Sequence, residues 1–277
     1  MAFFRVVEVL PPSFALSASR KDTFSIEASV VRFADEIRRI RDLADVFLVA
    51  NVKDVLSLDQ VHTANLLHKT LGVDAAPVVV IRDLSRPRFL SSVLTGISTE
   101  LNWMMVAWGD DHGSAKANMR EFPTLAAAIR EASQLRSQTS SPIRFMAPVG
   151  IDALARPRGV ALANGRIRAG ADLLLAQPPT TDADDSFDRH VSLLEKAGLE
   201  EKATLNVFPF KDEADVKRYE RMFGWRLPKS LHESAAEGEA SLLRGARGVV
   251  RRLRKEGYPG VYITTRGNLA VAKTLLS

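Results

Sequence analysis

Strand-like and helix-like stretches alternate along this chain eight times, and that alternation sharply limits the folds open to it. Residues 3–10 (FFRVVEVL) form a short apolar, β-branched run. Residues 25–44 (SIEASVVRFADEIRRIRDLA) follow, with apolar positions at helical spacing. Strand-like runs recur at 45–52, 76–83, 102–111, 142–150, 171–179, 203–210 and 260–265. Helices are expected at 57–72, 87–101, 124–136, 159–169, 185–198 and 212–224, followed by two further helical pieces and one after the final strand. Ser57 is the expected N-cap of the 57–72 helix and Gly72 its C-terminal stop. Strands that are almost continuously apolar and joined by helices belong to parallel sheets buried on both faces. Eight such units in 277 residues predict an α/β fold, a (βα)8 TIM barrel, as a single domain over 1–277. No GxGxxG or GxxxxGK[ST] run follows a strand, which argues against a Rossmann or P-loop arrangement.

With 46% hydrophobic and 26% charged residues, the chain can bury a large core and keep a solvated surface. Cysteine is absent, which excludes disulfides, thiolate metal sites and a cysteine nucleophile. The start of the sequence lacks the pattern of a signal peptide, and no apolar stretch approaches the roughly 20 residues that span a bilayer. A cytoplasmic protein is expected, without membrane or nucleic-acid partners. The net charge of +5, carried more by arginine than lysine, suits anionic ligands, because guanidinium binds carboxylate and phosphate bidentately. The densest basic run, RGARGVVRRLRKEG at 244–257, has no interleaved aromatics and reads as a solvated helix flank.

In a barrel of this kind, chemistry gathers where strands end and βα loops begin. Three strand ends carry polar groups to that rim: Glu8 before a proline pair, Asp110 and Asp111 in WGDDHG, and Gln177 before a second proline pair. Alternation puts Glu8 on the same face as Phe4, Val6 and Leu10. Such apolar neighbours disfavour the carboxylate, so Glu8 is suited to hold a proton and act as general acid. The alternative for Glu8 is a structural pair with an arginine such as Arg5. Asp110 and Asp111 read either as turn-capping groups or as site groups, and with His112 and Glu8 they admit a hard-ligand metal site. Gln177 is a neutral amide suited to orienting a heterocycle, and Trp108 is placed either to stack on a planar ligand or to join the core. His62 and His68 lie within a helix as surface or packing groups.

Taken in order, VVEVLPPS, AAPVVVIRD, VAWGDD, AGADLLLAQPP, FPFKDEADVKRYERMFGWRLPKSL and GVYITTRGN resemble the methylenetetrahydrofolate reductase family along nearly the whole chain. That family is a (βα)8 barrel. The resemblance implies reduction of 5,10-methylenetetrahydrofolate, or a related methylene-tetrahydropterin, to its 5-methyl form, with hydride from a reduced flavin, FAD. It makes Glu8 the acid that protonates the departing pterin nitrogen, places Asp110 beside flavin and pterin, and gives Gln177 a hydrogen bond to the pterin. Asp83 falls on a family aspartate without an assigned role. Arg166 in NGRIRAGA matches a basic residue used on the cofactor's phosphates, and Trp108, Gly109 and Ala147 fall on cofactor-contacting positions. The chain departs from the pattern at Val78 for a histidine, Trp108 for an arginine, Ala147 for an aromatic and Asn206 for a glycine. The folate half is thus better kept than the flavin half, which leaves a different hold on FAD, another hydride carrier such as a deazaflavin, or no flavin. Expected partners are a pterin substrate and an electron-donor protein or nicotinamide cofactor, with a homo-oligomer among the expectations. The readings beside the reductase are a metal-dependent barrel hydrolase or lyase using Glu8, Asp110, Asp111 and His112, and a pterin-binding partner subunit without redox activity of its own.

Overall fold

Eight short parallel strands follow one another around a closed barrel: β1 (Phe4–Val9), β2 (Val46–Val49), β3 (Ala75–Val80), β4 (Trp103–Ala107), β5 (Arg144–Gly150), β6 (Leu173–Gln177), β7 (Ala203–Val207) and β8 (Gly260–Ile263). The structure is a computed structural model that describes residues 3–14, 23–51, 56–82, 84–109, 121–182 and 185–277. Each strand neighbours the next in sequence, and β8 closes on β1 with Phe4 opposite Gly260 and Val7 opposite Ile263. A separate two-residue ladder pairs Ser13–Phe14 with Leu56–Ser57. The expected (βα)8 barrel is the fold.

The strands read as continuous apolar runs because both faces are covered. On β1, Val6 joins the cluster inside the barrel while Val7 and Val9 join the larger cluster between barrel and helices. On β6, Leu173 and Leu175 point in, and Leu174 and Ala176 point out. Period-two alternation therefore sorts two apolar cores, and polar residues on an inward position have only the barrel ends to face. Gly260 makes the seam: a Cβ there would lie 2.1 Å from the Phe4 carbonyl oxygen, so a side chain cannot fit where β8 meets β1.

Helices α1 (Thr23–Arg38), α2 (Gln60–Leu71), α3 (Arg86–Ser98), α4 (Leu125–Gln138), α5 (Pro157–Arg168), α6 (Asp185–Ala197), α7 (Glu213–Phe223), α8 (Lys229–Glu237), α9 (Glu239–Lys255) and α10 (Leu269–Leu276) clothe the barrel. The expected cap of α2 moves. Asp59, not Ser57, accepts the His62 N–H at 2.9 Å, because Ser57 is held in the ladder with Ser13. Gly72 stops that helix in the left-handed conformation (φ 66°) as expected. On α9, Val249, Val250 and Leu253 are buried, whereas Arg252 pairs with Asp188 and Glu256. Arg247 donates to the Thr274 carbonyl and Arg254 to that of Leu276. The basic run thus serves the helix's own docking. Among the described residues, no helix is long and apolar enough to cross a membrane.

His190 on α6 is buried, with Nδ1 2.9 Å from the Thr180 hydroxyl oxygen. Burial lowers its pKa from 6.5 to about 4. The unfolded chain takes up that proton near pH 6.5 while the folded chain resists it to about pH 4, so stability is full above the first value and falls as pH drops towards the second. The loss amounts to about 3 kcal/mol at most. Urea unfolding at pH 7 and pH 4.5 should show this slope in the wild type and a shallower one in His190→Gln.

Candidate functional site

The C-terminal ends of the strands form a cleft of about 230 Å3 with Glu8 in its lining. Its walls mix apolar and polar surface: Leu48, Val78, Val80, Met105, Ala107 and Pro148 stand beside Asn51 and Tyr262, with Trp108, Gly109 and Gln177 at the strand ends. Barrel geometry brings these side chains to one place from six different strands and the turns that follow them, as the sequence reading required of Glu8 and Gln177.

Glu8 does not pair with Arg5, whose guanidinium is taken by Asp45 at 2.9 Å. Instead its carboxyl is gripped by the last strand and the turn beyond it. The Tyr262 hydroxyl donates to Oε2 at 3.1 Å, the Arg266 backbone N–H donates to Oε1 at 3.2 Å, and the Thr265 hydroxyl donates to the Glu8 carbonyl at 2.8 Å. Burial drives the Glu8 pKa up, and the donors and the Arg266 charge only partly offset that rise. Tyr262 is pushed well above the usual phenol range, first by burial and then by the Glu8 charge. The pair is therefore poised to hold protons.

Arg266 presents its N–H from a left-handed backbone (φ 53°), a conformation unfavourable for a residue with a side chain. Its guanidinium is what anchors it. It ion-pairs with Asp215 at 2.5 Å, donates to the Pro209 carbonyl at 3.1 Å, and lies over the rings of Phe208 (5.0 Å) and Tyr219 (5.4 Å). Neither Tyr262 nor Arg266 was singled out from the sequence. The available signal was the alternation on β8, which puts Tyr262 on the inward face at the level of Val6.

Gln177 ends β6, with its carbonyl accepting from Ile151 N–H at 2.7 Å. Among the described residues its side-chain amide has no hydrogen-bond partner, although it faces the cleft. Gly109 has φ 97°, and a Cβ on it would stand 2.5 Å from Val80 Cγ1, so the wall at this point admits glycine alone. Trp108 lies half-buried between the outer core and the cleft. Ala147 is not brought to the cleft: it is fully buried on the outward face of β5, and Pro148 beside it forms the lining. Arg166 on α5 donates to the Pro148 carbonyl from behind that wall, and burial lowers its pKa. Asn206 is buried inside the barrel, where its side-chain oxygen accepts from the Thr264 hydroxyl at 3.1 Å. Asp83, Asp110, Asp111 and His112 lie outside the described residues. Among the described residues, no group of three or more His, Asp or Glu side chains is arranged to hold a metal ion.

The cleft is small, about 230 Å3. It falls below the roughly 300–1,000 Å3 typical of sites that enclose a whole drug-sized ligand, so any attached tail extends past the mouth. For a flavin, Gly109 and Trp108 supply contact surface, whereas Arg166 is engaged by the Pro148 carbonyl.

No protein-family model and no curated protein matches the chain. Among solved structures, an uncharacterized protein from Clostridium thermocellum that binds two copies of 5-methyl-5,6,7,8-tetrahydrofolic acid shares the fold. It aligns with a TM-score of 0.69 at 10% identity, over 98% of this chain and 94% of that one. Deoxyribose phosphate aldolase from Aeropyrum pernix aligns with a TM-score of 0.49 at 14% identity, over 99% of this chain and 89% of that one.

Proposed function

We propose that the cleft binds a reduced folate or related tetrahydropterin, and that the chain reduces the methylene bridge of that ligand to a methyl group with Glu8 as general acid. The observation that carries this reading is Glu8 itself, a half-buried carboxyl with a raised pKa in the lining of the cleft at the strand ends. The ordered resemblance to methylenetetrahydrofolate reductases supports it, as does a fold shared with a protein that binds 5-methyltetrahydrofolate.

In this reading, the apolar walls exclude water from the ring and keep Glu8 protonated until substrate arrives. The unpartnered Gln177 amide fixes the pterin edge. Glu8 gives its proton to the departing nitrogen, the carbon–nitrogen bond breaks with its electron pair on that nitrogen, and an iminium carbon is left exposed. Hydride addition there completes a net gain of one proton and one hydride. A flavin, or another hydride carrier, would supply that hydride when bound; FAD is the carrier the resemblance implies, and Trp108 and Gly109 line the cleft, whereas the roles of Arg166 on its phosphates and of Asp110 beside both rings rest on the resemblance alone. A folate substrate and an electron donor are the partners this reaction requires.

Calorimetric titration of the purified protein with 5-methyltetrahydrofolate tests the binding half directly. Saturable binding is expected, weakened about tenfold in Gln177→Ala through loss of a hydrogen bond made only to ligand. Absence of binding by the wild type defeats the proposal. A visible absorption spectrum of the same preparation, with release of FAD on denaturation, tests the carrier.

A further inference from the structure

The turn that follows β8 runs against the preferences of its own residues. Asn268 N–H donates to the Thr265 carbonyl at 3.0 Å, and the two residues between them, Arg266 and Gly267, have φ of 53° and 81°. Turns with positive φ at both centres favour glycine, asparagine or aspartate at the first of them, because a larger side chain crowds the backbone there. Glu100 and Ser140, the other described non-glycine residues with positive φ, each lie just beyond a helix end. Arg266 is the one whose backbone touches Glu8. The Thr265–Arg266 peptide carries both the carbonyl that closes the turn and the N–H that donates to Glu8 Oε1 at 3.2 Å. An ordinary negative φ at Arg266 would turn that peptide plane and lose both bonds.

What offsets this cost comes from α7. Asp215 Oδ2 accepts the Arg266 guanidinium at 2.5 Å and the Lys211 N–H at 3.1 Å, while the Asp215 N–H donates to the Asp212 side chain at 2.8 Å. The carboxylate is thereby fixed to the first turn of α7 and to the loop before it. With side chains only 12% and 19% exposed, Asp215 and Arg266 form an ion pair sheltered from water, and a charge-assisted bond of that kind can outweigh the cost of one left-handed residue.

We propose that Asp215 is a positioning residue for Glu8: it clamps the Arg266 side chain, the clamp holds the left-handed turn, and the turn holds the Arg266 N–H on the carboxyl. The assignment rests on the reading of Glu8 as the proton donor and adds to that site a residue of α7 that touches neither the carboxyl nor the cleft. Glu8 is faced by Tyr262 from β8, by Arg266 and Thr265 from the turn after it, and by apolar Leu48 from β2. Lys211, Arg218 and Glu239 line the same cavity as Arg266 and keep their charges in every variant below.

The test needs no substrate. In protein labelled with 13C at the glutamate carboxyl, the Glu8 resonance is identified by its loss in Glu8→Gln and followed through a pH titration. An N–H donated to the carboxyl favours its ionised form, so withdrawing that N–H makes the proton bind more tightly. Arg266→Ala and Arg266→Gly discard the same charge and differ in one respect: glycine adopts positive φ freely and alanine does not. Glu8 should therefore bind its proton up to about tenfold more tightly in Arg266→Ala than in Arg266→Gly. Asp215→Ala, with the arginine kept, should also tighten the proton relative to the wild type. A purely electrostatic role for Asp215 predicts the reverse sign, since removing a nearby negative charge loosens a proton. Circular dichroism verifies that each variant is folded, and if alanine at 266 prevents folding, the sign in Asp215→Ala decides alone. Equal midpoints in the two Arg266 variants, or a looser proton in Asp215→Ala, overturn the proposal. Retained folate turnover in Glu8→Gln alongside the expected shifts would remove the proposed reaction and leave the positioning role standing.

Discussion

Glu8→Gln should still bind a reduced folate and yet lose methylene reduction by a factor of roughly 10² to 10⁴, the range general acids contribute. The amide is nearly isosteric with the protonated acid and keeps an oxygen for the Arg266 N–H, so the cleft and its apolar walls should persist. What it cannot do is release a proton to the departing nitrogen. Any bound hydride carrier should still be reduced by its donor, since that half-reaction does not call on Glu8. The proposed mechanism needs the protonated form, so the wild-type kcat/KM should be high on the acid side and decline as pH rises through the raised Glu8 pKa. Folate turnover in Glu8→Gln at the wild-type rate, or a profile that lacks this basic limb, would remove Glu8 from the acid's role.

Gly260→Ala should force open the seam that closes the barrel. The added Cβ would meet the Phe4 carbonyl oxygen at 2.1 Å and its carbonyl carbon at 2.9 Å, and neither is the yielding end of a side chain. Relief requires β8 to move away from β1, which breaks the ladder that closes the barrel. A destabilisation of about 3 kcal/mol or more is expected, at or above the top of the usual overpacking range. Chemical denaturation gives that number, and the Glu8 titration gives a second one, because the same movement withdraws Tyr262 and Arg266 from the carboxyl. An unchanged unfolding midpoint would show that the seam can absorb a side chain.

The architecture was legible because its cause is local. Each strand is buried on both faces and each helix on one, so period and punctuation alone count eight units. Strand limits were less legible. NWMMVAWGDD reads as strand over 102–111, whereas the strand spans Trp103–Ala107 and Trp108 and Gly109 line the cleft. Glu8 and Gln177 were found because each is a polar residue closing an apolar run. Ala147 shows where this reasoning slipped: a motif position gave it a cofactor contact, but alternation along RFMAPVG, with Met146 inside and Phe145 and Val149 outside, already put it on the helix-facing side. Tyr262 and Arg266 were illegible for a different reason. They meet Glu8 across 254 and 258 residues of sequence, and no local pattern records such a pairing.

That separation also has a consequence for how the protein matures. Glu8 is translated more than 250 residues before Tyr262 and Arg266, the groups that donate to its carboxyl among the described residues. Until β8 docks, the carboxyl is an ordinary solvated glutamate with an ordinary affinity for protons. The raised affinity for a proton is therefore acquired only on closure, and a chain stalled before it carries strands whose Glu8 gives up its proton at an ordinary pH. The titration of one side chain thus reports whether the two ends of the sequence have met.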